Sequence, residues 1–250
     1  MIKKAALKAA KEWAEKQYPK EACGLVAGGK FYECDNSAED PLNDFKISGE
    51  EWARVEDIAE VTHIVHSHPD QRSRPSESDK LSCEALGLPW VILEVREGKA
   101  TDDVSHVEPC GYVAPMVGRA FKHGLHDCLS IVLDYYRREM GIELGEYERE
   151  DDWWNNGQDL YRDLLPKAGF EQIYGDELKQ GDVILMQIRS PVPNHAAVYL
   201  ADGIIRTEPD HYPCPGSILH HMYGRDSKRD PYGGYWRENT VSVWRHGGKT

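Results

Sequence analysis

The sequence lacks a continuous apolar stretch long enough to cross a membrane. A transmembrane helix needs about 20 mostly apolar residues, and no segment of the 250-residue chain approaches that length. The N-terminal segment begins with lysines and carries its apolar side chains, among them Ile2, Leu7 and Trp13, at helical spacing. We therefore predict an amphipathic helix here and not a secretion signal, and we expect a soluble protein made in the cytoplasm.

Basic residues are too few for a general nucleic-acid-binding surface. The chain has 30 Lys and Arg against 43 Asp and Glu, which gives a formal net charge of −13. Phosphate contacts need Lys and Arg, so this balance argues against nucleic acid and equally against anionic membrane surfaces. The acidic charge fits a basic surface on a protein partner.

Paired cysteine motifs are also absent. The 6 cysteines form no CxxC pair and have no regular spacing. A chain of this length without a signal sequence is not expected to carry a disulfide framework. Most of the cysteines are therefore predicted to be small core residues. Cys128 is the exception, because it lies at the predicted start of a helix.

What the sequence does contain is a group of metal-ligand residues in the first half. His66 and His68 lie two apart at the end of an apolar run, so on a strand both imidazoles point to one face. Asp79 follows a polar loop and falls in the first turn of a helix predicted to begin at Ser76. Two imidazoles and a carboxylate are a common protein contribution to catalytic zinc, whose fourth position holds water. The alternative is a pair of exposed histidines near a strand end.

The order of predicted elements indicates an α+β chain in two domains. Proline and glycine become frequent at 109–115, and the helical pattern then restarts. We place the domains at 1–108 and 117–250, with a linker at 109–116. The first half is predicted to contain helices to about residue 18, at 48–60 and at 76–86, and strands from residue 21 and at 31–34, 62–66 and 90–95.

The second half places a cysteine and a histidine where catalysis can use them. Asp127 can cap a helix and leave Cys128 in its first turn, where the helix dipole favours a thiolate. His195 opens a predicted strand at 195–200, after another at 182–187. A buried helical cysteine and a core histidine are the alternatives. The tryptophans are predicted to pack in the core or an interface and not to bind a sugar.

The spacing HSH-x7-SxxD resembles the motif of the JAMM (MPN, or Mov34-like) metalloproteases, and Glu21 in EACGLV matches the family's upstream glutamate. The resemblance implies a cytidine-deaminase-like fold and Zn²⁺ held by His66, His68 and Asp79. It also implies that Glu21 is the general acid and base. Ser76 would donate to the tetrahedral oxyanion, a role compatible with its being the helix cap.

The second half resembles the NlpC/P60 papain-like cysteine peptidases, which cleave peptidoglycan stem peptides. The resemblance implies that Cys128 attacks, that His195 is the base, and that a third polar residue orients the imidazole. Counting without gaps places that residue at Thr207, whereas the apolar character of Ser217-Ile-Leu-His points to His220 after a loop insertion. We predict His220, with His221, His211 and Thr207 as alternatives.

The two domains in this order resemble the K-type tail-tip assembly proteins of lambda-like siphophages. The resemblance implies a protein made in the host cytoplasm and built into the virion tail tip, with other tail-tip proteins as partners. One hypothesis is an enzyme with two peptidase modules: the Cys128 site cuts peptidoglycan, and the zinc site cuts a peptide or isopeptide bond. The other is a structural assembly factor whose peptidase folds are docking modules.

Overall fold

The computed structural model describes residues 2–145, 147, 149–150, 152–175 and 177–248. The chain divides into two compact units between Val113 and Ala114. Both units combine helices with a β-sheet, which confirms the predicted α+β class and two-domain organisation. Among the helices described, none is long and apolar enough to cross a bilayer.

The first unit is built on a five-stranded sheet of order β2-β1-β3-β4-β5. Strands β3 and β4 run parallel, and the other neighbours run antiparallel. The elements are α1 (Lys4–Gln17), β1 (Cys23–Ala27), β2 (Lys30–Cys34), α2 (Gly49–Glu56), β3 (Val61–Pro69), α3 (Glu77–Leu86), β4 (Trp90–Arg96) and β5 (Lys99–Val107).

Helices cover both faces of this sheet. Helix α1 buries three alanines at a spacing of four residues, Ala6, Ala10 and Ala14, and small side chains on one stripe let a helix lie close to a sheet. Its core partners on the strands include valines of β1, β3 and β4. On the opposite face, Val55 of α2 and Cys83 of α3 pack against the strand residues that alternate with those valines. The face of β3 that carries His66 and His68 is therefore the one that α2 and α3 cover.

Two bounds differ from the sequence prediction by three residues or more. Strand β3 continues to Pro69, past the predicted end at His66, because its parallel pairing with β4 extends to Val95. Helix α2 ends at Glu56, short of the predicted residue 60. The longer β3 places both histidines of the HSH motif on regular strand backbone. Their side chains therefore point to the same face, because every second residue of a strand does so.

The second unit is built on a six-stranded antiparallel sheet of order β10-β9-β8-β7-β11-β6. Its elements are α4 (Cys128–Tyr135), α5 (Leu160–Leu164), β6 (Phe170–Ile173), β7 (Val183–Met186), β8 (His195–Leu200), β9 (Ser217–His220), β10 (Lys228–Pro231), α6 (Tyr235–Glu238) and β11 (Thr240–His246). A π-helical turn, Tyr136–Met140, continues α4.

Alternation along the strands separates two sets of side chains. Val183, Leu185 and Ala196 join the main core with α4, whereas Ile184, Met186 and Ala197 pack on the other side with Trp236. Such alternation is the normal consequence of the β period. Helix α4 thus lies on one face of the central strands, and the segment around α6 covers the other.

Candidate active sites

The first candidate site joins the end of β3 to the start of α3. His66 Nε2 lies 3.1 Å from His68 Nε2 and 3.2 Å from Asp79 Oδ1, and His68 Nε2 lies 3.5 Å from Asp79 Oδ2. Within the described residues, these three are the group of histidine, cysteine and carboxylate side chains close enough to hold one metal ion. All three lie largely out of solvent.

The donor atoms have the spacing that zinc requires. A tetrahedral zinc with bonds of about 2.0–2.1 Å places its ligand atoms about 3.3–3.4 Å apart, close to the three separations in this site. His68 Nδ1 is 3.0 Å from the carbonyl of Arg72 and donates to it in the neutral ring, which leaves the Nε2 lone pair facing the cluster. The donor set and its orientation therefore fit Zn²⁺.

Aromatic side chains fix the His66 ring. Phe45 stacks on it at 4.5 Å between centroids and 20° between planes, and Trp90 meets it edge-on at 5.4 Å. The imidazole cannot rotate without disturbing these contacts. Phe45 comes from the loop before α2, so no short motif around HSH includes it.

The site holds its carboxylate ionised. Burial alone would raise the pKa of Asp79, but hydrogen bonds with His66 and His68 and the charge of His66 outweigh it and hold that pKa well below its usual range. Burial lowers the pKa of His68, yet hydrogen bonds to Asp79 and to the Arg72 carbonyl reverse the balance and raise it. The arrangement stabilises a cation between the carboxylate and the imidazoles.

Glu21 lies beside this group through strand register. Cys23 pairs with His66 across β1 and β3, and the pairing continues as Ser67 donates its backbone N–H to the Ala22 carbonyl at 3.0 Å. Extending it by one more residue puts Glu21 opposite His68 on the ligand face. Glu21 is 8% exposed, and its charge raises the pKa of His68.

Ser76 is the N-cap of α3. Its Oγ accepts from Asp79 N at 3.1 Å, and its own N–H donates to Asp79 Oδ2 at 2.6 Å, which completes a capping box. The box fixes the Asp79 carboxylate as well as the helix end. Because the Ser76 hydroxyl accepts in the cap, its proton is still available for donation to a substrate oxygen.

A third buried carboxylate at this site, besides Asp79 and Glu21, was not predicted. Glu94 is 5% exposed and pairs in register with His68 across β3 and β4. Its oxygens accept from Thr101 Oγ1 and from Arg96. A charged residue inside the apolar run WVILEVR is the sequence signal that could have identified it.

The second candidate site begins with a capped helix. Asp127 Oδ1 accepts from the backbone N–H groups of Leu129 and Ser130, both at 3.0 Å, and Cys128 follows as the first residue of α4. The Cys128 sulfur lies 3.0 Å from the Tyr161 hydroxyl and 3.9 Å from the Asn194 carbonyl oxygen. The predicted cap and the predicted position of Cys128 are both present in the fold.

Arg149 forms an ion pair with the capping carboxylate of Asp127. Its Nε is 2.7 Å from Asp127 Oδ2 and its Nη2 is 2.7 Å from Asp127 Oδ1, a bidentate pair with side-chain exposures of 5% and 3%. With burial opposed by the Arg149 hydrogen bond and charge, the pKa of Asp127 falls to about 2. Sequence reasoning missed Arg149 because nothing local connects it to the helix start.

Removing Arg149 should destabilise the second unit. The Arg149→Met substitution leaves the Asp127 carboxylate buried without its partner, which typically costs about 3–5 kcal/mol. Urea denaturation followed by tryptophan fluorescence measures the change in the free energy of unfolding. Arg162→Met is the matched control, because Arg162 pairs with Asp159 at a half-exposed site. Equal stability of the two variants would contradict the structural role of the pair.

The hydrogen-bond partner of His195 is His220. His195 Nε2 lies 3.1 Å from His220 Nδ1. Thr207 instead donates its hydroxyl to Glu139, and His211 lies 3.6 Å from Glu208. His221 lies beside Phe121 with ring centroids 5.2 Å apart. The loop at 201–216 separates β8 from β9, which is the insertion that the choice of His220 required.

Cys128 and His195 are both uncharged before substrate binds. Burial and the charge of Asp127 raise the pKa of the Cys128 thiol to about 11, despite the opposing hydrogen bonds from Tyr161 and the Ala196 backbone. Burial and the neighbouring His220 hold the pKa of His195 well below its ordinary value. At neutral pH the pair is therefore a thiol and an uncharged imidazole, so the imidazole must remove the proton as the sulfur attacks.

The rate of Cys128 alkylation should therefore increase with pH across the whole measured range. Only the thiolate reacts, and a pKa raised to about 11 keeps the thiolate fraction small at pH 7 and increases it with each unit of pH. Iodoacetamide labelling quantified on the Cys128 peptide by mass spectrometry gives the rate from pH 5 to 10. The exposed Cys110 is the internal reference. A rate that is already flat below pH 7 would show a thiolate–imidazolium pair instead.

A cavity gives access to the cysteine. Its lining includes Cys128 and His195 together with aromatic side chains, namely Phe121, Trp153, Trp154, Tyr161 and Tyr223. Trp153 is 2% exposed and Trp244 is 8% exposed, so both pack in the core. Trp154 lines the cavity, and Trp236 packs on His220 at 4.4 Å.

Comparison with known proteins gives the same two domains in the same order. The Prok-JAB family, described as prokaryotic homologues of the JAB domain, matches residues 3–108, and the NlpC/P60 family matches residues 118–245. Among solved structures, a JAB1/MPN domain protein from Archaeoglobus fulgidus is similar with 22% identity and a TM-score of 0.29, over 44% of this chain and 91% of its own.

Two curated proteins are similar over most of the chain. Tail tip assembly protein K of Escherichia phage N15 is 36% identical over 239 residues, which cover 93% of this chain and 90% of that protein. Tail tip assembly protein K of Escherichia phage lambda is 36% identical over 200 residues, which cover 80% of this chain and 89% of that protein.

Proposed function

This chain belongs to the family of tail tip assembly protein K, and from that premise we propose that it hydrolyses peptide bonds of peptidoglycan at Cys128. It is a phage tail tip assembly protein with a JAB and an NlpC/P60 domain, and other tail proteins are its partners. We propose that it acts during cell-wall penetration or tail assembly, after synthesis in the host cytoplasm. The observation that carries the proposal is Cys128 on a capped helix, in a cavity that His195 also lines.

The chemistry follows from the positions of the side chains. His195 Nε2 is engaged with His220, so Nδ1 is the ring nitrogen left to take the thiol proton. The sulfur attacks the carbonyl carbon of the peptide bond, and the imidazolium then gives its proton to the leaving amine. Water releases the acyl group by the same route in reverse. The Tyr161 hydroxyl, 3.0 Å from the sulfur, is placed to donate to the developing negative charge.

The first unit is proposed to be a zinc-dependent peptidase or isopeptidase. His66, His68 and Asp79 would hold the ion, which when bound lowers the pKa of water and polarises a carbonyl. Glu21 would take a proton from the attacking water and deliver it to the leaving amine. The Ser76 hydroxyl would donate a hydrogen bond to the oxyanion.

A digest of purified peptidoglycan tests the enzymatic proposal. The wild-type protein should release stem-peptide fragments, identified by mass spectrometry, and alkylation of Cys128 should stop the release. Zinc chelation should leave this release unchanged if the second unit acts alone. No fragments from folded protein would reject the proposal for this substrate.

A structural role is the second candidate, favoured by the 36% identity over most of the chain to two proteins described as tail tip assembly proteins. In that role the two folds serve as docking modules in the tail tip. Complementation of a phage that lacks the protein separates the two functions. Normal infection by phage carrying the Cys128→Ala protein supports docking, whereas assembled tails that fail to infect support catalysis.

A further inference from the structure

In the second unit, a carboxylate lies within hydrogen-bond distance of the outer member of the histidine pair. His220 Nε2 lies 3.2 Å from Asp230 Oδ2, and His220 Nδ1 lies 3.1 Å from His195 Nε2. We infer that Asp230 is a positioning residue, which sets the protonation of both histidines so that His195 offers a lone pair to Cys128. The inference rests on the proposed function of the Cys128 site.

Strand register explains how one line of side chains spans three strands. Ala197 pairs with His220 across β8 and β9, and Lys228 pairs with His220 across β9 and β10. His195 and Asp230 each lie two residues along from those partners, so both are diagonal neighbours of His220 on the same face of the sheet. The chain of contacts is thus built into regular backbone and does not depend on a loop.

The carboxylate decides the direction of every hydrogen bond in this line. An ionised carboxylate only accepts, so His220 must carry its proton on Nε2. In a neutral ring His220 Nδ1 is then an acceptor, and His195 must donate from its own Nε2. His195 Nδ1 is left with the lone pair that can take the thiol proton. Without Asp230, His220 can protonate Nδ1 instead, which gives His195 the wrong tautomer.

The surroundings keep the two histidines out of water and the carboxylate charged. His220 is 0% exposed and His195 is 4% exposed. The Trp236 ring covers His220 at 4.4 Å and His195 at 6.1 Å between centroids. Lys228 Nζ lies 2.8 Å from Asp230 Oδ2. The other ionisable groups that act on the histidine pair are His221 and Asp127, which affect His195.

Histidine tautomers can be read without any assay of activity. Nitrogen-15 NMR of labelled protein, with assignments from His195→Gln and His220→Gln, should show both rings protonated on Nε2 in the wild type. In Asp230→Ala, a fraction of His220 should be protonated on Nδ1. A corresponding fraction of His195 should then be protonated on Nδ1 instead of Nε2. Asp230→Asn keeps an oxygen acceptor and should retain the wild-type tautomers. Unchanged tautomers in folded Asp230→Ala protein would overturn the inference.

Kinetics on peptidoglycan provide the second measurement. Loss of the outer hydrogen-bond partner of a metal-ligating histidine typically costs about 10–100-fold. We expect a loss of the same order here, so Asp230→Ala should lower kcat by that factor with KM nearly unchanged. Asp230→Asn should recover most of the rate. Asp210→Ala, which removes an exposed aspartate, is the control for charge. Equal kcat in wild type and Asp230→Ala would also overturn the inference.

The two measurements separate this inference from the proposed function. If the tautomers shift in Asp230→Ala but the wild type releases no peptide, the positioning role stands and the proposed substrate is wrong. If Asp230→Ala is unfolded by circular dichroism, Asp230→Leu carries the test, because it fills the space of the aspartate without an acceptor and should shift the tautomers in the same way. Lys228→Met should leave the tautomers unchanged, because the carboxylate remains the acceptor.

Discussion

Replacement of Cys128 by alanine should lower the rate of stem-peptide release from peptidoglycan by about three orders of magnitude or more. Loss of the nucleophile in a peptidase removes almost all catalysis beyond binding and oxyanion stabilisation, since the catalytic residues act as a unit. In this chain the sulfur lies at the start of α4, and His195 lines the same cavity. The loss should appear in kcat, because alanine leaves the cavity walls in place.

The comparison needs controls for folding and for other thiols. Cys110→Ala removes an exposed thiol in the first unit and should not alter the rate. The melting temperature of Cys128→Ala should stay close to that of the wild type, because the substitution removes one sulfur from a partly exposed position. If Cys128→Ala retains a tenth of the wild-type rate, another group performs the chemistry.

The clustering of His66, His68 and Asp79 could be predicted because its geometry is local. Two histidines at a spacing of two share a strand face, and the capping signal of Ser76 and Asp79 defines the start of α3. These rules act over a few residues and need no knowledge of the fold. Phe45 and Glu94 reach the same site from other elements, and only tertiary pairing brings them there.

The cysteine site shows where sequence reasoning stops. Asp127 and Cys128 form a local helix start, and that part followed from the sequence. The choice among four candidates for the third residue depended on the length of a loop, which the spacing alone did not decide. Arg149, Tyr161 and Asp230 lie far from Cys128 in the chain. Strand register places Asp230, core packing places Tyr161, and the ion pair with Asp127 places Arg149.

The same distinction explains the strands that the sequence did not reveal. Strand β5 has the sequence KATDDVSHV, and its residues are all exposed or partly exposed because it forms one edge of its sheet. Strand β10, KRDP, also lies at an edge and is entirely polar before its proline. Edge strands of this kind have no apolar alternation, so their pairing with β4 and β9 becomes evident only in the fold.

Replacement of His68 by alanine should abolish stable zinc binding by the first unit. The wild type is expected to bind about one zinc per chain. The variant loses one of three protein ligands. Removal of a residue that only hydrogen-bonds to a ligand typically lowers metal affinity by about 10–100-fold, and we expect a larger decrease in zinc affinity here. Asp79→Asn should have a similar effect, but it also disturbs the capping box of α3, so His68→Ala is the cleaner change. Metal analysis after dialysis, together with competition against a chromophoric chelator, measures content and affinity.

His63 provides a matched control, because it lies on β3 with the opposite parity and faces away from His66 and His68. His63→Ala should bind zinc as the wild type does. Zinc should also raise the melting temperature of wild-type and His63→Ala protein but not of His68→Ala, since a ligand that binds only the folded state stabilises by about 4 kcal/mol at a thousand times its Kd. Full zinc content in His68→Ala would place the ion elsewhere, and none in the wild type would leave His66, His68 and Asp79 as a hydrogen-bonded cluster that fixes the end of β3 to α3.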